Sequence, residues 1–137
     1  MIETADDFVR LRNSSDPREC RRAAVEEAPE LVWMEVVDRY PEERVAVVQN
    51  KTVPLAVLEI LINDPDARVR FMVAMKRKLP PDLLEHLAHD LDESIRMRVA
   101  RHRNTSGETL ESLRHDPWSE VRAAVEERLG GTGSDLL

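Results

Sequence analysis

Residues 64–103 read DPDARVRFMVAMKRKLPPDLLEHLAHDLDESIRMRVARHR, and this stretch decides the fold. Asp64 is followed by Val69-Arg70 and then Val73-Ala74. Asp90 is followed, at the same offsets, by Ile95-Arg96 and Val99-Ala100. The displacement is 26 residues. A leucine pair stands before each Asp, Leu58/Leu61 and Leu84/Leu87.

Working outward, the register extends in both directions. Asp38, Asp64, Asp90 and Asp116 are evenly spaced at 26 residues, and Arg44, Arg70, Arg96 and Arg122 follow each by six. Val47, Val73, Val99 and Val125 follow by nine. Leu110 and Leu113 continue the leucine series. Each unit reads as a short helix A carrying leucines, a turn at the Asp, and a helix B carrying Val-Arg-x-x-Val. Pro54, Pro80 and Pro81 open the leucine helices, where a missing N–H is harmless; Thr105-Ser106 is the cap signal in the last unit. Helices this short are not stable alone. Neither can bury its apolar face within one unit, so stacked neighbours must supply the core.

The ends are less regular. A first helix is expected over 4–12, capped by Thr4, with Asp6 and Asp7 favoured by the dipole. Asp16-Pro17 opens a second helix to about Ala28, and Pro29 a third to about Val37. In the degenerate first unit Arg22-Ala-Ala-Val25 fits the pattern if its loop is about two residues shorter. The expected fold is all-α: a right-handed α-α superhelix of about five two-helix repeats. One domain is expected over 1–129, with units 16–37, 38–63, 64–89 and 90–115 and a half unit 116–129. Gly130-Gly131 predicts a helix stop, leaving 130–137 as a flexible tail.

Composition narrows the function. The chain has 137 residues, 42% hydrophobic and 34% charged, enough for a core. A net charge of −7 disfavours a dedicated nucleic-acid binder, because phosphate affinity comes from a basic surface. Cys20, the single cysteine, excludes an internal disulfide or a multi-cysteine metal site and suits a reducing cytoplasm. No apolar run is long enough for a membrane span, and the first residues lack signal-peptide character. No P-loop, glycine-rich dinucleotide motif or nucleophile–base arrangement occurs. No enzyme activity and no cofactor are expected.

The pattern Asp64-Pro65-x3-Val69-Arg70-x2-Val73-Ala74, with the leucine helix after Pro80-Pro81 and their copies, resembles the HEAT-like α-solenoids. It is most similar to their short bacterial relative, the leucine-rich repeat variant. The resemblance covers roughly 16–129. It implies that the B helices line a concave face, and that this face binds another protein or, less often, nucleic acid. The iron–sulfur cluster known in the variant is not implied, since Cys20 is alone. HEAT-like DNA glycosylases place aromatic and acidic residues on that face; no aromatic is expected there in this chain.

Site candidates follow from the helix B wheel. Offsets +5, +7, +9 and +10 from the Asp are mostly apolar and cover more than half the helix. Offsets +4, +8 and +11 are expected to face solvent. They hold Arg68, Met72 and Met75 in one unit, and Ser94, Arg98 and Arg101 in the next. Residues 66–103 carry nine Lys/Arg against six Asp/Glu, while the remainder carries eleven against twenty-one. The basic centre, from Arg68 through Lys76, Arg77 and Lys78 to Arg98, Arg101, His102 and Arg103, reads as a docking site for an acidic or amphipathic protein segment. The plainer reading is that basic residues at helix ends complement the dipole. Met72 and Met75 read either as an adaptable binding surface or as core. The binding stripe is therefore Arg68, Met72, Met75, Lys76, Arg98, Arg101 and His102.

The recurring Asp/Arg positions (Asp38, Arg44, Asp64, Arg70, Asp90, Arg96, Asp116, Arg122) read as a structural ladder. An unpaired charge inside the apolar arc would be costly, so each Arg should meet the Asp of its own or the adjacent unit, and turn carbonyls. His86 and His89 are three apart but lack further ligands. The expected function is a non-enzymatic repeat scaffold that binds another protein through its B-helix face, with nucleic-acid binding through the basic centre as the alternative. Self-association through a solenoid end is a further expectation.

Overall fold

Helices account for all the regular structure in a computed structural model of the chain, which describes residues 1–134, with side chains to 130; among the described residues there is no strand. The tertiary contacts fall into two units, Met1–Met72 and the residues from Val73 onward.

In the first unit, α1 (Ala5–Arg12) is capped by Thr4, whose hydroxyl accepts the Asp7 N–H at 3.0 Å. α2 (Pro17–Val25) starts on Asp16, which accepts the Arg18 N–H at 2.9 Å. It ends three residues before the expected Ala28. Glu26 is already extended, and Ala28 precedes Pro29, a position biased away from helix. α3 (Glu30–Arg39) follows, then a 3-10 turn (Pro41–Glu43), α4 (Arg44–Gln49) and α5 (Leu55–Leu61), and the unit ends at Met72 within α6 (Ala67–Ala74). α1 packs on α2 and α3, and α3 on α4 and α5. Phe8 meets Trp33 edge to face, with ring centroids 5.1 Å apart. Val36, Val47, Val57 and Leu61 complete this core.

The second unit contains α7 (Pro81–Leu87), α8 (Glu93–Arg101), α9 (Gly107–Ser112), a 3-10 turn (Leu113–His115) and α10 (Ser119–Ser134). α8 lies between α7 and α10. Leu84, Leu87, Ile95, Val99 and Val125 are fully buried. Ser106 caps α9, accepting the Thr109 N–H at 3.1 Å. α10 does not stop at Gly130 but continues through Gly131 to Ser134. Neither glycine has a positive φ, so the left-handed stop that glycine favours is not made. The rest of the expected tail, residues 135–137, lies outside the described residues.

The turn before each later helix B is built from the same bonds. Asp64, Asp90 and Asp116 each accept, through the side chain, the N–H two residues on, at 2.9 Å: Asp66, Asp92 and Trp118. Asp66 and Asp92 then cap α6 and α8 by accepting the N–H of Arg68 and Ser94. These Asx turns explain why Asp recurs.

The first unit of the repeat uses other residues. The Asp16 N–H bonds the Ser14 hydroxyl at 3.0 Å, so Ser14 takes the Asp place. Cys20, six residues later, bonds the Ser14 carbonyl at 3.0 Å where the other units place arginine. The sequence alignment on Arg22 and Val25 is displaced by two positions; Arg22 is exposed and Ala23 is the buried residue.

Helix B faces differ from the wheel at two offsets. Position +8 turns inward: Ala46 and Ala124 are buried, and Met72 and Arg98 are half-buried. Position +7 turns outward: Val45, Phe71 and Met97 are half-buried and Ala123 is exposed. Positions +5, +8, +9 and +12 lie three or four apart and share one face. The apolar identities at +7 drew the arc too far round.

Candidate functional site

The repeat arginines Arg44 and Arg96 are each anchored twice. In the first unit Arg44 donates through Nη1 to Asp64, 20 residues ahead, at 3.0 Å, and through Nε to the Val37 carbonyl at 2.8 Å. In the second, Arg96 donates through Nε to Asp116, also 20 ahead, at 2.7 Å, and through Nη1 to the Asp90 carbonyl at 2.8 Å. Arg70 bonds the Asp64 carbonyl, and Arg122 the Asp116 carbonyl. Asp64 and Asp116 are buried, and the Asp116 bond raises the Arg96 guanidinium above its ordinary range. Asp38 does not join this scheme. It is exposed, because α3 runs straight through it where the other units have a turn.

A second set of bonds, absent from the sequence reading, fixes the residues after helix B. His102 is 3% exposed. Its Nδ1 accepts the Asn104 N–H at 3.0 Å, which leaves Nε2 to donate to the Lys76 carbonyl at 2.8 Å. Asn104 donates to the carbonyls of Arg77 and Leu79, both at 3.1 Å. Arg128 donates to the carbonyls of Ala100 and His102, at 2.9 and 2.7 Å. In the first unit Asn50 does the same to Ala23 and Glu26. Asn50, Lys76, His102 and Arg128 stand in one 26-residue register. His102 is therefore a structural residue, not part of an exposed stripe. Its ring is buried because it carries two backbone bonds that water would otherwise have to make.

These bonds tie the turn after α6 to the turn after α8, and so bring Arg77 beside the end of α8. A cavity of about 170 Å³ lies there, lined by Arg77, Arg98, Arg101, His102 and Arg103. No carboxylate lines it. Among the described residues, none of the four arginines makes an ion pair. Arg98 is half-buried, and its Nε is buried without a hydrogen-bond partner among the described residues. Other arginines of the same unit are satisfied: Arg96 by Asp116, Arg114 by Glu111 and Glu126.

Of the residues singled out by sequence, Arg98, Arg101 and His102 line this cavity. Met75, 40% exposed, and half-buried Lys76 lie just before Arg77 in the chain. Burial pushes the Lys76 ammonium below the usual lysine range. Arg68 and Met72 belong to the first unit. Arg68 is 85% exposed and has its own counter-ion: Asp66 holds its Nη2 at 2.8 Å, and that bond lowers the Asp66 carboxyl below the usual carboxylate range. Met72 is half-buried rather than exposed. Arg77 and Arg103 belong to the basic centre but not to the stripe, although both line the cavity. Their separation of 26 residues, the repeat period, was the signal that they share one surface.

Among the described residues no cluster of three His, Cys, Asp or Glu side chains could hold a metal ion, and no helix is long and apolar enough to cross a membrane. No protein-family model, curated protein or solved structure matches the chain.

Proposed function

We propose that the chain is a non-enzymatic scaffold, a short right-handed α-solenoid of the HEAT-like, leucine-rich-repeat-variant kind, that docks an acidic segment of another protein. Recurrence of the same Asx turn at Asp64, Asp90 and Asp116 supports the repeat reading. The observation that carries the function is the group of four arginines around one cavity, without a carboxylate, on a chain of net charge −7. Clustered like charges repel, and a bound anion relieves that repulsion. The single free Cys20 fits a reducing cytoplasm.

The test uses a labelled Glu-rich peptide and random duplex DNA, each titrated against the whole chain at low salt. Peptide binding that weakens in Arg98→Glu supports the proposal. Equal binding by the variant rejects this face. Stronger DNA binding with a steep salt dependence would transfer the assignment to nucleic acid.

A further inference from the structure

We infer that the arginine-lined cavity is a receptor for a phosphate monoester, carried on a phosphorylated side chain of the protein partner. The inference rests on the docking role proposed above and names the group that the site selects.

Three observations carry it. The first is charge stoichiometry. Arg77, Arg98, Arg101 and Arg103 surround one space with no carboxylate among its lining residues. A single side-chain carboxylate brings one negative charge, whereas a phosphorylated side chain brings roughly −1.5 to −2 and three acceptor oxygens. Guanidinium forks match those oxygens in bidentate geometry.

The second is size. The cavity of about 170 Å³ is a small recess open to solvent, lined by five residues. That suits one tetrahedral group of five heavy atoms. A nucleic-acid strand needs a continuous basic track, and the charge outside residues 66–103 is acidic.

The third is preorganisation and an unmet donor. Backbone carbonyls of Lys76, Arg77 and Leu79 are bonded to His102 and Asn104, so the two basic turns are held before any ligand arrives. Binding then has to order the arginine side chains but not the turns that carry them. Arg98 Nε is buried without a partner among the described residues, and a buried donor left unmet is costly.

The experiment titrates the whole chain with a short neutral peptide carrying one phosphoserine, its unphosphorylated form, its Glu-substituted form, and a thymidine oligonucleotide. The expected result is that the phosphopeptide binds about tenfold or more tighter than the Glu form. Amide shifts should fall on Arg77, Arg98, Arg101 and Arg103. Arg98→Gln and, separately, the exposed Arg101→Gln should each weaken the phosphopeptide about tenfold. Arg21→Gln, which removes the same charge from an exposed position in the other unit, should leave it unchanged. Equal affinity for the Glu and phosphoserine forms would overturn the phosphate inference and leave acidic docking standing. Binding of neither would overturn both. An oligonucleotide that binds tighter than the phosphopeptide would assign the cavity to nucleic acid.

Discussion

Arg96 Nε lies 2.7 Å from Asp116 Oδ2, across 20 residues of chain, and Nη1 of the same guanidinium lies 2.8 Å from the Asp90 carbonyl. One side chain thus joins the turn before its own helix to the turn before the next. Its side chain is 13% exposed and that of Asp116 is 3% exposed. At this burial, removing one partner strands the other.

Arg96→Ala or Asp116→Ala should therefore destabilise the fold by about 3 kcal/mol or more. Glu111→Ala, which removes one of the two exposed partners of Arg114, should cost less than about 1 kcal/mol. Urea denaturation of the three variants checks this. Equal losses for Glu111 and Asp116 would show that the buried pair is not special.

His102→Ala removes a ring with bonds to the Lys76 carbonyl and the Asn104 N–H. Two backbone groups lose partners, at about 1–3 kcal/mol for each one left buried. The same change should raise hydrogen exchange at the Asn104 amide. A variant of wild-type stability would mean that His102 belongs to the surface after all.

Glu26 gives the pH dependence. It is bonded to Arg22 and to the N-terminal amine, and these hold its carboxyl at about 2 rather than 4.5. A depressed carboxylate stabilises the fold fully above its unfolded value, and that contribution is lost as pH falls from about 4.5 through about 2. The Tm of Glu26→Gln should lie below wild type at neutral pH, and the two should converge below about pH 2. A constant gap across this window would exclude the linkage.

Gly130→Ala tests the end of α10. Among the described residues, a Cβ there meets Glu126 Oε2 at 3.8 Å, and φ is not positive. Alanine in a helix is favoured over glycine by roughly 0.5–1 kcal/mol. The variant should melt slightly higher and show more helical ellipticity. A lower Tm would place a left-handed stop at Gly130, as the sequence alone suggests.

The sequence by itself determined that this chain is helical, where most helices begin, and which positions bear the core. Apolar residues recur at offsets that a buried helix face requires, and Thr4, Asp16, Pro54, Pro80 and Ser106 mark helix starts by local bonding rules. The 26-residue register also singled out Asp64, Arg96 and Asp116 as structural, because a periodic charge inside an apolar arc must be paired. Tertiary structure decided which charges stay available. Arg68 pairs locally with Asp66, two residues before it, whereas no carboxylate from any packed element lines the cavity around Arg98. It also turned His102 inward and Arg77 and Arg103 onto one cavity, through bonds to carbonyls about 26 residues away. Pairing depends on distance in space, and a backbone carbonyl is the same acceptor in every residue, so the letters carry no mark of which one a side chain will reach.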